Sequence, residues 1–318
     1  MEPRPFVLTV VLPVYFNEGE VGRTVDRIRN VLSGAGLNFE IVLVDDGSCD
    51  RSIDELEACF RENPTSTQII KLTRNFGQVA AIMAGFEAAR GECVAFMSAD
   101  GQDPVELLPK MFAEWHSGKG EIVIAARRGR EDGRYRRITS AIFYRLMRRL
   151  SYPTMPIGGF DFALLGPKAK NALLANSEAH MFLQGQILWT GFSVSQLEYV
   201  RRERLSGNAS RWTLERKLSY FYDGLLSNSY FPLRLISYSG FLVALSGFLY
   251  AIVILLQKVF FGHPVEGWTP LMITVLSVGG IQMIMLGVIG EYLWRVLAQV
   301  RNRSTYVIQS HKVVNLPR

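Results

Sequence analysis

Two hydrophobic runs in this chain end in acid. IVLVDDGS (41–48) puts Asp45 and Asp46 at the end of a β-branched run, and VAFMSADGQDP (94–104) puts Asp100 and Gln102 at the end of another. A buried strand carries its end to the edge of a sheet, where ligands of open α/β sheets bind. Glycine follows both acidic positions, so the acids sit on tight turns and not inside helices. Asp100 and Gln102 are two apart on an extended turn. Side chains at that spacing can point to one side and share a hard divalent cation, Mg2+ or Mn2+, with a diphosphate. Taken alone, DGQD is more readily the sequence of a solvated Asx turn. Its place after a strand, in a series of strands, turns the reading toward a site.

Asp45 and Asp46 suit a different task. A carboxylate at a strand end can accept a hydrogen bond from a base imide N–H or a ribose hydroxyl. VLPVYFNEGE brings Pro13, Tyr15, Asn17 and Glu18 to the end of the first strand, next door in a doubly wound sheet. Tyr15 offers a stacking face and Glu18 a ribose partner. Arg74, in TRNFG, precedes a helix whose free N–H groups favour anions. The chain has neither GxGxxG nor GxxxxGK[ST], which argues against dinucleotide and kinase-type phosphate sites.

The elements that must position these residues alternate. VLTVVLPV (7–14) reads as a first strand, followed by a helix over VGRTVDRIRNVLSG that Gly34 and Gly36 end. FEIVLV is a second strand and SIDELEACFREN a helix. QIIKL is a third strand, and TRNFGQVAAIMAGFEAARG a loop opening into a helix. ECVAFM is a fourth strand. PVELLPKMFAEWHSG reads as a helix with Pro104 at its first turn, and EIVIAAR as a fifth strand. This alternation predicts an α/β domain with a mostly parallel sheet and right-handed crossovers. Residues 153–212 mix loops and helices. Asp161 falls there in a glycine-flanked loop, GGFDF, and SQLEYV reads as a strand. The tail offers one strand candidate, TYVIQ.

Two stretches carry no charged residue: Leu235–Gln257 and Gly267–Gly290. At about 1.5 Å per residue each reaches about 30–36 Å, enough for a hydrocarbon core of about 30 Å. The short link between them holds Lys258, His263 and Glu266, while Arg234, Arg295, Arg301 and Arg303 flank the outside. The positive-inside rule puts both flanks, and the N-terminal domain, in the cytosol. The expected anchor is a two-helix transmembrane hairpin, with Gly240, Gly247, Gly279, Gly280 and Gly287 available for close helix contact. The first twenty residues lack the order of a secretion signal. Residues 136–150 share an apolar face ringed by arginine and read as an amphipathic helix at the membrane surface. Residues 213–232 read as a second interfacial helix. Domain bounds follow: 1–212 for the α/β domain, 233–292 for the anchor and 293–318 for a cytosolic tail.

The chain has 318 residues, 48% hydrophobic and 20% charged, with a formal net charge of +6. That balance fits an anionic partner. Nucleic acid would account for the charge but not for the anchor or the acidic strand ends. Cys49, Cys59 and Cys93 have no metal-type spacing and read as free thiols of a reducing compartment.

VLPVYFNEGE, VDDGS, TRNFGQVAA, SADGQDP, GGFDF and RLSGNASRW together resemble the family 2 glycosyltransferases of the polyprenyl-phosphate type, over nearly the whole chain. That group includes the bactoprenol-phosphate glucosyltransferases and dolichol-phosphate mannose synthase. The resemblance implies a GT-A fold (Rossmann-like), a nucleoside-diphosphate sugar donor with UDP-glucose the first choice, a divalent metal, and a polyprenyl phosphate acceptor at the cytosolic face of a bacterial inner or plasma membrane. It implies nucleotide contacts from Pro13, Tyr15, Glu18 and Asp46, extended to Asn17, Asp45, Arg74, Ser98 and Ala99, and metal contacts from Asp100 and Gln102. Asp100 and Asp161 are the catalytic candidates, Asp161 to position sugar or acceptor. Arg127, Arg128, Arg136, Arg201, Arg202, Ser210 and Arg211 are candidates to grip the lipid phosphate or the donor diphosphate. One departure stands out: the family usually has Asp-Ala-Asp where this chain has Ser98-Ala99-Asp100. A processive polysaccharide synthase and a catalytically silent scaffold are the competing expectations. The former has QxxRW, one residue off from Asn208–Trp212, but needs more transmembrane helices. Self-association is expected through the glycine-bearing anchor or the TYVIQ strand.

Overall fold

The structure, a computed structural model, describes residues 6–62, 66–129, 145, 148, 154–156, 159–176, 178, 181–200, 231–261, 267–301 and 303–314. The chain forms two compact units, Met1–Gly224 with Ser304–Arg318, and Leu225–Arg303. The first unit runs β1 (Leu8–Val14), α1 (Val21–Gly34), β2 (Phe39–Asp45), α2 (Ser52–Glu62), β3 (Thr67–Leu72), α3 (Gln78–Ala88), β4 (Cys93–Phe96), α4 (Leu108–His116), β5 (Ile122–Gly129), β6 (Phe162–Leu165), α5 (Pro167–Ala175), α6 (Leu183–Trp189) and β7 (Val194–Val200). The second holds α7 (Phe231–Phe261) and α8 (Trp268–Val300), after which β8 (Ile308–Val314) returns to the first.

The eight strands form one sheet in the order β7-β5-β6-β4-β1-β2-β3-β8. Pairing is parallel at β4-β1-β2-β3 and at β5-β7, and antiparallel where β6 and β8 join. Both faces of the sheet are covered, which is why its strands read as unbroken apolar runs. Val10, Leu12, Ile41 and Leu43 pack on one face against Val25, Ile28 and Leu32 of α1 and Met111 of α4. Val11, Val42 and Val44 pack on the other against Ile82 and Phe86 of α3, Leu173 of α5 and Ile187 of α6. At Gly85 a Cβ would lie 2.3 Å from Val11 Cγ1, so only glycine lets α3 settle onto β1.

Three expectations are corrected. FALL (162–165), in a span expected to mix loops and helices, is strand β6, inserted between β4 and β5. Four buried residues give too short a run for periodicity to separate strand from loop. The helix expected from Pro104 starts later: Val105–Leu107 form a 3-10 turn and α4 begins at Leu108, with Pro109 in its first turn. A proline has no N–H to bond back into a preceding helical turn, so the α-helix starts around it. The tail strand is Ile308–Val314, not TYVIQ, and it pairs antiparallel with β3 of its own chain.

In the second unit α7 and α8 have 31 and 33 residues. Among the described residues one stretch, Ser277–Val300, is long and apolar enough to cross a membrane, and Ile236–Tyr250 is a shorter apolar stretch. A Cβ at Gly240 would sit 3.0 Å from Met285 Cε, whereas Gly247, Gly279, Gly280 and Gly287 face open space. Of the five glycines, then, only Gly240 serves close packing of one helix on the other. Of the interfacial helix expected over 213–232, residues 213–230 lie outside the described residues, and Phe231 and Pro232 belong to α7. The helix expected over 136–150 also lies outside them, save Arg145 and Arg148, which are helical.

At the amino ends of the strands sits a fully buried carboxylate, Glu40. It accepts hydrogen bonds from Thr9 Oγ1 (2.8 Å), Arg90 N (2.6 Å), Arg90 Nε (2.8 Å) and Gln68 Nε2 (3.2 Å). Gln68 in turn meets His311 Nε2 at 2.8 Å, joining β8 to the network. Removing the acceptor strands several buried donors and one cation, a change that costs about 2–3 kcal/mol. Glu40→Ala is expected to lower the unfolding free energy by that amount, seen as a urea midpoint lowered by about 1–2 M at unchanged slope, as followed by tryptophan fluorescence. An unmoved midpoint would strip the network of its structural role.

Candidate functional site

Strand polarity decides what meets at the opposite edge. β1, β2, β3 and β4 run parallel, so their carboxyl ends deliver Tyr15, Asp45–Asp46, Arg74 and Ser98–Gln102 to one edge. β6 is antiparallel to β4, so its beginning, with Asp161 just before it, lies at that edge too. β5 and β7 are oriented like β4, so Arg127 and Arg128 of β5 and the end of β7 also reach it. β1 lies between β4 and β2, with connections leaving in opposite directions, which makes the β1–β4 gap the switch point where such sheets bind ligands.

The loop after β1 is held by the loop after β2. Phe16 N donates to Ser48 Oγ (3.1 Å), Asn17 N to Ser52 Oγ (3.0 Å) and Glu18 N to Asp50 Oδ2 (3.4 Å). Asn17 is a bracing residue: its Oδ1 accepts from Tyr15 N (2.9 Å) and its Nδ2 donates to Glu20 Oε2 (3.1 Å). The loop carries Phe16 at φ 54°, an unusual value for a side chain of that size. Tyr15 is half-buried and meets Phe16 edge to face, and Glu18 is exposed with Oε2 accepting from Arg51 N (3.3 Å). Pro13 is in β1, opposite Val44.

The two adjacent acids differ. Asp46 accepts from Phe76 N (2.7 Å) and Gly77 N (2.9 Å), so it clasps the loop that opens into α3. An anion already stands at that helix N-terminus, and it is the protein's own. The loop carries Arg74, whose guanidinium lies 4.1 Å over the Phe76 ring. Gly47 makes the contact possible: its φ is +72°, and a Cβ there would meet the Arg74 carbonyl carbon at 2.6 Å. Asp45, 1% exposed, accepts from Ser48 N (3.1 Å) with Oδ1, while Oδ2 is buried without a partner. Burial pushes its carboxyl above the ordinary aspartate value, against the lowering effect of the Ser48 hydrogen bonds and the Lys71 charge. An orphaned buried acceptor at a strand end is where an incoming N–H or O–H is worth most.

The turn after β4 is equally fixed. Asp100 is buried, 7% exposed, and its Oδ1 accepts from Gln102 N (3.2 Å). Ser98 N donates to Asp103 Oδ2 (2.9 Å), and Tyr199 of β7 donates to Asp103 Oδ1 (3.3 Å). The Ala99 carbonyl accepts from Thr24 of α1 (3.0 Å). Asp103 is wholly buried, and sequence reasoning passed over it. The signal was present: Asp103 precedes Pro104 and follows Asp100 by three residues, as a turn-bracing carboxylate does. Asp161 is half-buried, and its Oδ1 accepts from Gln184 Nε2 (3.1 Å), which also contacts the Phe160 carbonyl. Gln184, on α6, was likewise missed, because a glutamine in an apolar helix carries no spacing signal. Among the described residues no three His, Cys, Asp or Glu gather around one point. Arg136, Arg201, Arg202, Ser210 and Arg211 lie outside the described residues, as do the side chains of Arg127 and Arg128.

Residues 9–170 match the family model described as Glycosyl transferase family 2. The chain is 36% identical over 302 residues to the uncharacterized glycosyltransferase YkcC of Bacillus subtilis (strain 168), covering 95% of this chain and 93% of that one. It is 33% identical over 307 residues to the SfII prophage-derived bactoprenol glucosyl transferase of Shigella flexneri, covering 96% and 98%. Among solved structures, a mannosyltransferase of Pyrobaculum calidifontis in complex with GDP-Man and Mn2+ aligns with a TM-score of 0.49 at 17% identity, over 65% of this chain and 59% of that one. The chain belongs to glycosyl transferase family 2, and it is a glycosyltransferase.

The Asp45 carboxyl sets a pH dependence. An acid raised in the fold contributes stability that is complete below its unfolded pKa and lost as pH rises through the folded value. Asp45→Asn escapes that loss. The variant is expected to exceed the native protein in urea midpoint at pH 7, with the difference closing as pH falls into the ordinary aspartate range. Equal midpoints at pH 7 would mean that burial places no burden on this carboxylate.

Proposed function

We propose that the protein transfers a sugar, with inversion, from a nucleoside-diphosphate sugar to a polyprenyl phosphate at a membrane surface, and that the donor is UDP-glucose. The observation that carries the reading is the pairing, on one sheet edge, of the orphaned Asp45 carboxylate with the buried Asp100 turn. The first suits a base imide or ribose hydroxyl and the second a diphosphate. Relatives named bactoprenol glucosyl transferase, about a third identical over nearly the whole chain, supply the sugar and acceptor class.

In this reading the nucleoside lies over the β1 and β2 ends. Pro13, Tyr15, Asn17, Glu18, Asp45, Asp46, Arg74, Ser98 and Ala99 line it, Asn17 and Asp46 by holding the loops. Asp100 and Gln102 fit a divalent cation, since magnesium takes one or two carboxylates and completes its shell with phosphate oxygen and water. When bound it supplies charge neutralisation of the departing nucleoside diphosphate. The acceptor is a phosphate monoester, anionic near neutral pH. Its oxygen forms the new bond to the anomeric carbon as the bond from that carbon to the donor diphosphate oxygen breaks, so no strong general base is required. The enzyme's work is alignment and electrostatic stabilisation. Asp161 orients sugar or acceptor. Arg127, Arg128, Arg136, Arg201, Arg202, Ser210 and Arg211 grip phosphate.

The long helices α7 and α8 form the two-helix anchor. At about 1.5 Å per residue each exceeds a hydrocarbon core of about 30 Å. Phe241, Phe248 and Tyr250 of α7, and Met283, Ile284 and Leu293 of α8, are exposed. A hydrocarbon environment suits such surfaces.

A thermal-shift series of nucleotide sugars, with and without magnesium, tests the donor. UDP-glucose is expected to stabilise the protein most, through linkage to the folded state, and a flat response to every nucleotide would sink the reading. Asp100→Ala is expected to cut sugar transfer to polyprenyl phosphate about 100-fold or more while the protein still folds and inserts. Full turnover of that variant in the presence of magnesium or manganese would remove Asp100 from the reaction.

A further inference from the structure

The turn after β4 is short of carboxylate. Asp100 and Gln102 are its candidates to hold a cation, and Ser98 brings a hydroxyl where the family usually has a second acid. Asp103 is the nearest acid in sequence, but it is spent internally on Ser98 N and the Tyr199 hydroxyl, and it is wholly buried. The shortfall is met by the strand that sequence reading missed. β4 and β6 pair antiparallel with Phe96 opposite Ala163. That pair is the last of the ladder, and Ser98 lies two residues past Phe96 as Asp161 lies two before Ala163, so both leave the pair at the same edge. The insertion of β6 therefore carries a carboxylate to the same edge of the sheet as Ser98 and Asp100.

A second observation lies beside it. Gln184 is 5% exposed, and its Nε2 holds Asp161 Oδ1. Its Oε1 is buried with no hydrogen-bond partner. The orientation of this amide is forced, because reversing it would set Oε1 against the Phe160 carbonyl and the Asp161 carboxylate. An orphaned acceptor next to a carboxylate is satisfied by a donor that the site brings in, and the water shell of a hard cation is such a donor.

We propose that Asp161, oriented by Gln184, supplies across the β4–β6 pair the second carboxylate of the divalent-cation site that Asp100 begins, in place of the acid missing at Ser98. This rests on the donor-site reading above and assigns Asp161 to the cation as well as to the face where sugar and acceptor meet.

The test is manganese affinity in the presence of UDP, read from loss of the free-ion EPR signal, with full-length protein in detergent. Asp161→Asn is expected to weaken manganese binding about tenfold or more, because it removes one of the one or two carboxylates that such a cation takes from the protein. Ser98→Asp in the same chain is expected to restore it to within about threefold of native. Ser98→Asp alone is expected to change affinity by less than about threefold, since the native site already has its two acids; this arm stands even if Asp161→Asn fails to fold. Unchanged binding in Asp161→Asn overturns the assignment, as does tightening of about tenfold or more in Ser98→Asp alone. If native protein binds no manganese with UDP present, the donor-site reading itself falls, a result distinct from either.

Discussion

Backbone N–H and C=O groups buried between two layers of helices must find partners, and four strands find them by running parallel in the order β4-β1-β2-β3. Everything at the site depends on that constraint. Parallel pairing places all four carboxyl ends on one edge, and the reversal of connection direction beside β1 opens a gap there. The acids at the ends of β2 and β4 then share one edge, on either side of β1, although more than fifty residues separate them in the chain. At the other end of the same strands the Glu40 network closes the sheet with fully matched donors. At that end the buried carboxylate is matched by four donors. The other keeps an acceptor open at Asp45.

The open end is built from loops that hold one another. Asp46 fixes the approach to α3, Ser48 and Ser52 fix the loop after β1, and Asp103 fixes the turn after β4. Each of these bonds spends a carboxylate or hydroxyl that could otherwise meet a ligand. The return is a preorganised edge, which matters for a transfer that relies on alignment and charge and needs no strong base. Asp45 keeps one oxygen without a partner, and the difference between Asp45 and its neighbour Asp46 lies in what the next loop offers, not in residue type.

Much of this was legible in the residues. The strand ends, the helix over 21–34, the alternation of elements and the family resemblance all follow from runs of β-branched residues, glycine stops and short motifs. What was not legible has a common cause. β6 is four residues long and draws its partners from β4 and β5, which are far away in sequence. The tail strand is shifted because its register is set by β3 and by His311 meeting Gln68, not by its own most apolar residues. Asp103 and Gln184 looked like turn and helix filler because their partners, Tyr199 and Asp161, come from other elements.

By itself the sequence determined the class of the domain, the acids and arginines available to it, the family and the two long apolar stretches. These are local properties: periodicity, turn chemistry and composition act within a few residues. The tertiary structure decided which of two adjacent aspartates stays open, which acid braces the turn, and that β6 lies between β4 and β5 with Asp161 at the active edge. Those outcomes depend on hydrogen-bond partners supplied from elsewhere in the chain, and no stretch of residues states them before the sheet has formed.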